Sequence, residues 1–417
     1  MMAGLRARLS SKFVYALLDQ GVVSVGNMVV AASVARYCGA AEFGIFILAL
    51  RSLDVINQLS SVLIWGPYIF NMPTVGDGRR DEYRGSVLMH QLTASSIGVA
   101  LLLGFGMWAR SVGSVEYSRL FVPLALPSVA IVFREFTRRM YFAHFRFKEA
   151  LITDAITVAL QVSGVLSLMH RGTLGFVTAL WSLAGGCTVL VVYWMVRELR
   201  GLRFAGDGYM DDLRMNMQLG RWFFGSNMIL LGSLQVSPWL LSATSGTVSV
   251  AAYGVCESVV NIPRVALTSM QNAMGPTMAK AFAEGGKPAL GKVVDRMTWL
   301  ITSGSAVFAA AIIVVGPWVA KVIYHQSPPH ARLILTLLSL NLVAYAGALA
   351  QSYGLSSMNR AQLMFYAAVA GLVVQLAIAF AVVRRFNVPG VAAALLVGSV
   401  VIVTMRWMHW KREMRAA

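Results

Sequence analysis

Three cysteines, six histidines and eighteen acidic residues in 417 leave this chain poor in the groups from which most catalytic and metal sites are built. Cys38, Cys187 and Cys256 are far apart and form no CxxC pair, so neither a disulfide framework nor a thiolate metal site is indicated. The histidines are scattered among loops and span ends, and no HExxH, GxSxG or Walker-type phosphate loop occurs. These absences argue against an enzyme, and we expect no cofactor and no metal. Charge of either sign is also scarce, at 13% of residues against about a quarter in a soluble domain.

Hydrophobic residues make up 57% of the chain and its mean hydropathy is +0.67. Runs of about 20 apolar residues, the length that crosses a hydrocarbon core, recur from one end to the other. The bilayer is therefore the expected solvent. A net charge of +17 would raise nucleic-acid binding for a soluble protein. Here the Lys and Arg lie in loops between spans, where they hold loops in the cytoplasm and meet anionic lipid headgroups, so nucleic acid is not an expected partner and membrane lipid is. Leu5-Arg6-Ala7-Arg8-Leu9 leads into a long span interrupted by Asp19, without a small-residue cleavage site, and reads as an uncleaved first helix.

Grouping the apolar runs predicts an all-α polytopic membrane protein of about twelve helices, near 13–35, 43–70, 86–109, 119–142, 149–169 and 173–196, then 219–243, 247–274, 297–323, 331–357, 361–384 and 388–408. With both termini inside, 25 of the 35 Lys and Arg fall in cytoplasmic segments and 8 outside, while Arg51 and Arg264 lie within spans. That asymmetry orients the chain with its termini in the cytoplasm. Ala41-Glu42-Phe43-Gly44-Ile45 resembles Ala251-Ala252-Tyr253-Gly254-Val255, an offset of 210. Six helices separate the copies, so two pseudo-symmetric six-helix lobes, 1–203 and 204–417, should share one topology about an axis along the membrane normal.

Charge in hydrocarbon costs at least about 2.5 kcal/mol at a helix centre, so each buried charge needs a reason. Arg51, Asp54 and Gln58 recur at helical spacing in the second span, with Asn57 alongside. In the eighth, Glu257, Asn261, Arg264, Thr268 and Gln271 or Asn272 fall on one stripe, beside Pro263. Asp54 and Arg264 are equivalent in the two repeats and are candidates to face each other across a central cavity. The alternative is that Arg51–Asp54 and Glu257–Arg264 are neutral pairs that join helices. Gln20, Ser24, Asn27, Asn227 and Gln235 extend the lining or serve as interhelical hydrogen bonders. Asp19, Asp54 and Glu257 are candidates for a coupling ion, although Asp19 could instead pair with Arg6, Arg8 or Lys12. Asp154, one turn into its span, is expected to be reached by water. The basic and aromatic run from Arg134 to Lys148 is expected to anchor at headgroups. Without a nucleotide site, uphill transport would draw on an ion gradient or the membrane potential, and a basic cavity would favour an anionic substrate such as a pyrophosphate-linked lipid.

Several stretches together resemble the Wzx-type polysaccharide flippases of the multidrug/oligosaccharidyl-lipid/polysaccharide exporter superfamily. They are Gly26-Asn27 and Ala35 through Gly44, with Glu42-Phe43-Gly44 opening the second span, then Arg138-Arg139-Met140-Tyr141-Phe142-Ala143 with Arg146-Phe147, and finally Gly220-Arg221-Trp222, Ala252-Tyr253-Gly254 and Pro276. The resemblance implies two lobes in a V, alternating access, and a cavity lined by the first, second, seventh and eighth spans. About twelve spans leave no room for the extra helix pair of the lipid II flippases. The implied function is movement of a polyprenyl-(pyro)phosphate-linked oligosaccharide across the bacterial inner membrane, with H⁺ or Na⁺ as coupling ion and polysaccharide polymerase or glycosyltransferase machinery as partners. Arg51 and Arg264 would counter phosphate, and Asn57, Gln58, Asn261 and Gln271 would bind sugar hydroxyls. A cation-coupled drug exporter and a membrane scaffold of a polysaccharide synthase are the alternatives. The charge asymmetry predicts that a fluorescent protein fused after Ala417 is bright and an alkaline phosphatase fused there is inactive; the opposite pair of results would reverse the topology.

Overall fold

The computed structural model describes the backbone of residues 2–72, 75–144, 146–198, 201–202, 208–325, 328–358 and 360–415, and their side chains outside stretches such as 1–14, 218–228 and much of 263–280. Among the described residues the regular structure is entirely helical. In lipid every backbone N–H and C=O has to be satisfied within its own segment, which makes a helix the outcome for each apolar run. The helices are α1 (Met2–Tyr37), α2 (Gly39–Ser60), α3 (Gly66–Asn71), α4 (Arg80–Ser111), α5 (Val115–Ala143), α6 (Phe147–His170), α7 (Phe176–Glu198), α8 (Tyr209–Ser245), α9 (Thr247–Tyr324), α10 (Ala331–Ser357) and α11 (Ala361–Arg415).

The predicted second span is one continuous course made of α2, a π turn at Ser61–Trp65 and α3. Two longer helices each contain a break. Gly286 (φ 60°, ψ −155°) interrupts α9 and Asn387 (φ 49°, ψ −129°) interrupts α11, both at positive φ, which glycine reaches without steric cost. Each break divides one continuous helix into two spans, so the predicted twelve segments are all found as helix. Eight helical stretches among the described residues are long and apolar enough to cross a membrane, and the chain is a multi-pass membrane protein. The α2–α3 course and the start of α9 are not among these eight.

The chain divides into two compact units, Met1–Leu231 and Gly232–Ala417. The stretch after the expected boundary at 203/204 stays with the first unit through polar contacts at the start of α8. Asp212 pairs with Arg79 at 2.8 Å, and Asn216 accepts hydrogen bonds from Tyr83 Oη at 2.6 Å and Asn71 Nδ2 at 3.0 Å. From Gly232 onward α8 bonds instead to the second unit, where Ser233 Oγ donates to Gln375 Oε1 at 2.6 Å and Gln375 Nε2 donates to the Ser233 carbonyl at 2.8 Å.

In the first unit α1 packs on α6, α4 on α5, and α5 on α7, around buried Phe43, Phe46, Trp65, Tyr83, Phe136 and Phe176. In the second, α10 packs between α9 and α11 over Tyr253, Tyr324, Leu338 and Leu342. The α1–α6 contact depends on Gly26, because a Cβ there would stand 2.4 Å from Val158 Cγ1. Gly26→Leu should therefore force the two helices apart, at a cost of about 1–3 kcal/mol, read as a lower midpoint of thermal unfolding in detergent. An unchanged midpoint would show that the interface can absorb the side chain.

Candidate functional site

Two groups of polar side chains stand out in the first unit. The first is the predicted stripe on α2. Arg51 Nη1 donates to Asp54 Oδ2 at 3.2 Å, one turn along the same helix, and the Asp54 carboxylate is half exposed. Asn57 and Gln58 follow one turn on, both half-buried, and Asn57 Oδ1 is buried without a hydrogen-bond donor. The π turn begins at Ser61, directly after them. Such turns widen the backbone and are common beside functional sites.

The second group lies where α1, α5 and α6 meet, and residue patterns alone did not assemble it. Arg138 on α5 donates through Nη2 to Asp19 Oδ2 on α1 at 2.5 Å, and its Nε lies 2.8 Å from Asp154 Oδ2 on α6. Arg134, one turn earlier, places Nη2 2.8 Å from the other Asp154 oxygen. Glu135 Oε1 accepts from Arg139 Nε at 2.9 Å, and the Glu135 carboxylate also lies within 4 Å of Arg134 and Arg138. Gln20 Oε1 sits 3.4 Å from Arg138. Three arginines face three carboxylates, so the group is neutral as a whole. Asp19 is fully buried and Asp154 is 2% exposed.

This cluster corrects two expectations. Asp154 is not bathed by water: it is 2% exposed, and its carboxylate is held by Arg134 and Arg138 of α5. The basic run beginning at Arg134 is not solely a headgroup anchor: Arg134, Glu135 and Arg138 point inward, and only Arg139 and the residues that follow approach the membrane surface. Asp19 pairs with Arg138, which is 119 positions away; the side chains of Arg6, Arg8 and Lys12 lie outside the described residues. The available signal was the i, i+4 spacing of Arg134 and Arg138 opposite two single aspartates in other spans.

At one end of the same unit a third set of charges joins α4, α6 and α7. Glu198 accepts from Arg84 Nη2 at 2.6 Å and from Arg146 Nη1 at 2.9 Å, while Arg146 also binds Glu149 and Arg197 reaches Glu149 at 3.2 Å. Its hydrogen bonds to Glu149 and Glu198 raise the pKa of Arg146 further above its usual range. Beside it the His144 ring lies 3.0 Å from Tyr68 Oη, and burial, aided by Arg84 and Arg146, lowers its pKa and keeps it neutral.

In the second unit Glu257 is buried on α9, Asn261 and Arg264 are half-buried one and two turns on, and Asn261 Oδ1 is buried without a donor. Gln235 Oε1, on α8, is in the same condition. The side chains of Asn227, Thr268, Gln271 and Asn272 lie outside the described residues. The remaining first-span residues differ from one another, since Ser24 is half-buried and Asn27 is exposed. The two stripes thus share a composition: a charged pair or charged residues one to two turns apart, followed or accompanied by an asparagine whose amide oxygen is buried and unpaired.

The MatE family model matches residues 224–381. Among solved structures, the chain is similar to an inward-facing multidrug resistance MATE family transporter of the MOP superfamily, at 14% identity and a TM-score of 0.77, covering 94% of this chain and 95% of the other. It is also similar to an outward-facing transporter of that description, at 15% identity and a TM-score of 0.67, covering 97% and 94%. A third is a MOP superfamily transporter from Pyrococcus furiosus Vc1, described by the reverse polarity of its binding pocket, at 14% identity and a TM-score of 0.67, covering 97% and 94%. No curated protein matches. The twelve-helix fold is that of these transporters.

Removing Arg138 leaves Asp19 and Asp154 buried without their shared cation. Arg138→Ala should cost about 3–5 kcal/mol, seen as a large fall in thermal midpoint or in folded yield. Arg138→Ala combined with Asp19→Asn should recover part of it, and equal midpoints for all three proteins would mean that the cluster carries no stability.

Proposed function

We propose that the chain is an alternating-access transporter of the bacterial inner membrane that moves a polyprenyl-(pyro)phosphate-linked oligosaccharide, its termini in the cytoplasm. The observation that carries the reading is the pair of stripes at repeat-related positions, Arg51–Asp54–Asn57 on α2 and Glu257–Asn261–Arg264 on α9. A guanidinium offers several donors in a planar fork suited to phosphate. Buried amide oxygens such as those of Asn57 and Asn261 are costly to leave unpaired, and sugar hydroxyls are donors that would satisfy them. In this reading Arg51 and Arg264 counter the phosphate, Asn57, Gln58, Asn261 and Gln271 bind the sugar, and the prenyl chain stays in lipid.

Coupling falls to Asp19, Asp54 and Glu257. Asp19 is held by Arg138, so a proton or Na⁺ arriving there would have to displace the guanidinium or act on the cluster as a whole. That arrangement supports movement of α1 against α5 as the mechanical response to ion binding. The similarity to multidrug transporters supports a second reading, a cation-coupled exporter of small organic molecules, in which acidic groups dominate and the arginines tolerate loss. The Pyrococcus structure, described by a reversed pocket polarity and a different function, supports treating pocket charge as the discriminating feature.

Arg264→Ala in a polysaccharide-producing cell should lower surface polysaccharide by about tenfold or more at unchanged protein level, the effect of losing a charge-assisted contact to phosphate. Normal export by Arg264→Ala, together with loss of drug resistance in Asp54→Asn, would instead establish the exporter.

A further inference from the structure

The second unit contains a groove that the transport reading does not use. It has a volume of about 700 Å³ and lies between the part of α9 that follows Gly286 and the last turns of α11, with Gln351 of α10 at its base. Its α9 wall carries Asp295, Thr298 and Trp299, and its α11 wall carries Trp407, Lys411 and Arg415. Both walls belong to stretches long and apolar enough to cross a membrane, and Trp299, Leu300, Trp407 and Met408 are exposed. Tryptophan together with Lys and Arg near a span end is the composition of the membrane–water interface. The groove therefore opens at headgroup depth.

Its charges are opposite in sign yet separate. Asp295 forms no ion pair among the described residues, although it lines the same groove as Lys411 and Arg415. Lys411 Nζ stands 3.7 Å from the centre of the Trp407 ring, and the neighbouring Glu413 is turned to Arg360 at 3.4 Å. At the base Gln351, 5% exposed, donates to Thr298 Oγ1 at 3.3 Å, but its Oε1 has no donor, and neither does the Thr302 hydroxyl have a partner. A buried amide acceptor and a hydroxyl left open on the wall of a groove mark a site with hydrogen-bonding capacity unspent.

We propose that this groove binds a phospholipid with a zwitterionic, primary-ammonium headgroup of the phosphatidylethanolamine type. Lys411 and Arg415 take the phosphodiester, Asp295 takes the ammonium, and Trp299 and Trp407 flank the glycerol and the first acyl carbons. A lipid with an anionic headgroup alone would meet the two cations but would also bring its charge toward Asp295 with nothing to offset it. The groove discriminates through the carboxylate, and the cations supply attraction common to both lipids.

The purified full chain in detergent, offered equal phosphatidylethanolamine and phosphatidylglycerol of matched acyl chains, should retain more of the former when bound lipid is counted by native mass spectrometry. Asp295→Asn should lower that preference by roughly fivefold, the scale of one partly exposed ion pair, and Asp295→Glu should restore it. Lys411→Ala with Arg415→Ala should reduce both lipids together. Asp295 is exposed and has no ion partner among the described residues, so its replacement leaves the fold intact, and Trp299→Ala gives an independent loss of both adducts. Equal retention, a preference for phosphatidylglycerol, or a preference undiminished in Asp295→Asn would overturn the assignment.

Discussion

Burying charge in a membrane protein is tolerable only where an opposite charge is brought to it, and the first unit is organised around that requirement. Arg138 cannot be withdrawn from water without Asp19 and Asp154, and neither aspartate can be buried without Arg138. Because the three groups come from α5, α1 and α6, satisfying them fixes where those helices lie. The close approach of α1 to α6 at Gly26 serves the same end, since a wider gap there would move Asp19 on α1 away from Asp154 on α6, with which it shares the Arg138 guanidinium. Ion pairing and small-residue packing thus act on one interface, which matches how helices associate where no hydrophobic force separates helix from lipid.

The remaining charges fall into two further settings. At the end of the first unit that holds Arg84, Arg146 and Glu198, arginine–carboxylate contacts tie three helix ends together where water is near, and each contact is individually weaker. The stripes of α2 and α9 form the second. Asp54 remains half exposed beside Arg51, and the amide oxygens of Asn57 and Asn261 have no donor. The buried amide oxygens of Asn57 and Asn261 are the feature on which the functional reading rests. The MOP-type fold agrees with it, while the sequence identity of 14–15% to the solved transporters leaves the cargo to the chemistry of the stripes.

Much of this was legible before any coordinates. Hydropathy located the twelve segments, because a helix that must satisfy its own backbone in lipid leaves a long apolar run in the sequence. The stripe of Arg51, Asp54 and Asn57 was legible for the same reason, since its members share one helix and their spacing is local. The Arg138 cluster was not. Asp19, Arg138 and Asp154 are separated by more than a hundred positions at the widest, and nothing local to Asp154, close to a span end, shows that arginines of α5 hold it buried. The groove between Trp299 and Trp407 was equally hidden, for its two walls come from different helices.

The sequence by itself therefore determined the solvent, the helical class and the polar stripe on α2, all of which depend on composition and on periodicity along a single segment. Tertiary structure alone decided which carboxylate meets which arginine, which amides stay unpaired, and where Gly286 and Asn387 break continuous helix. Ion pairing and packing act across space between helices distant in the chain, and no local pattern encodes the partner.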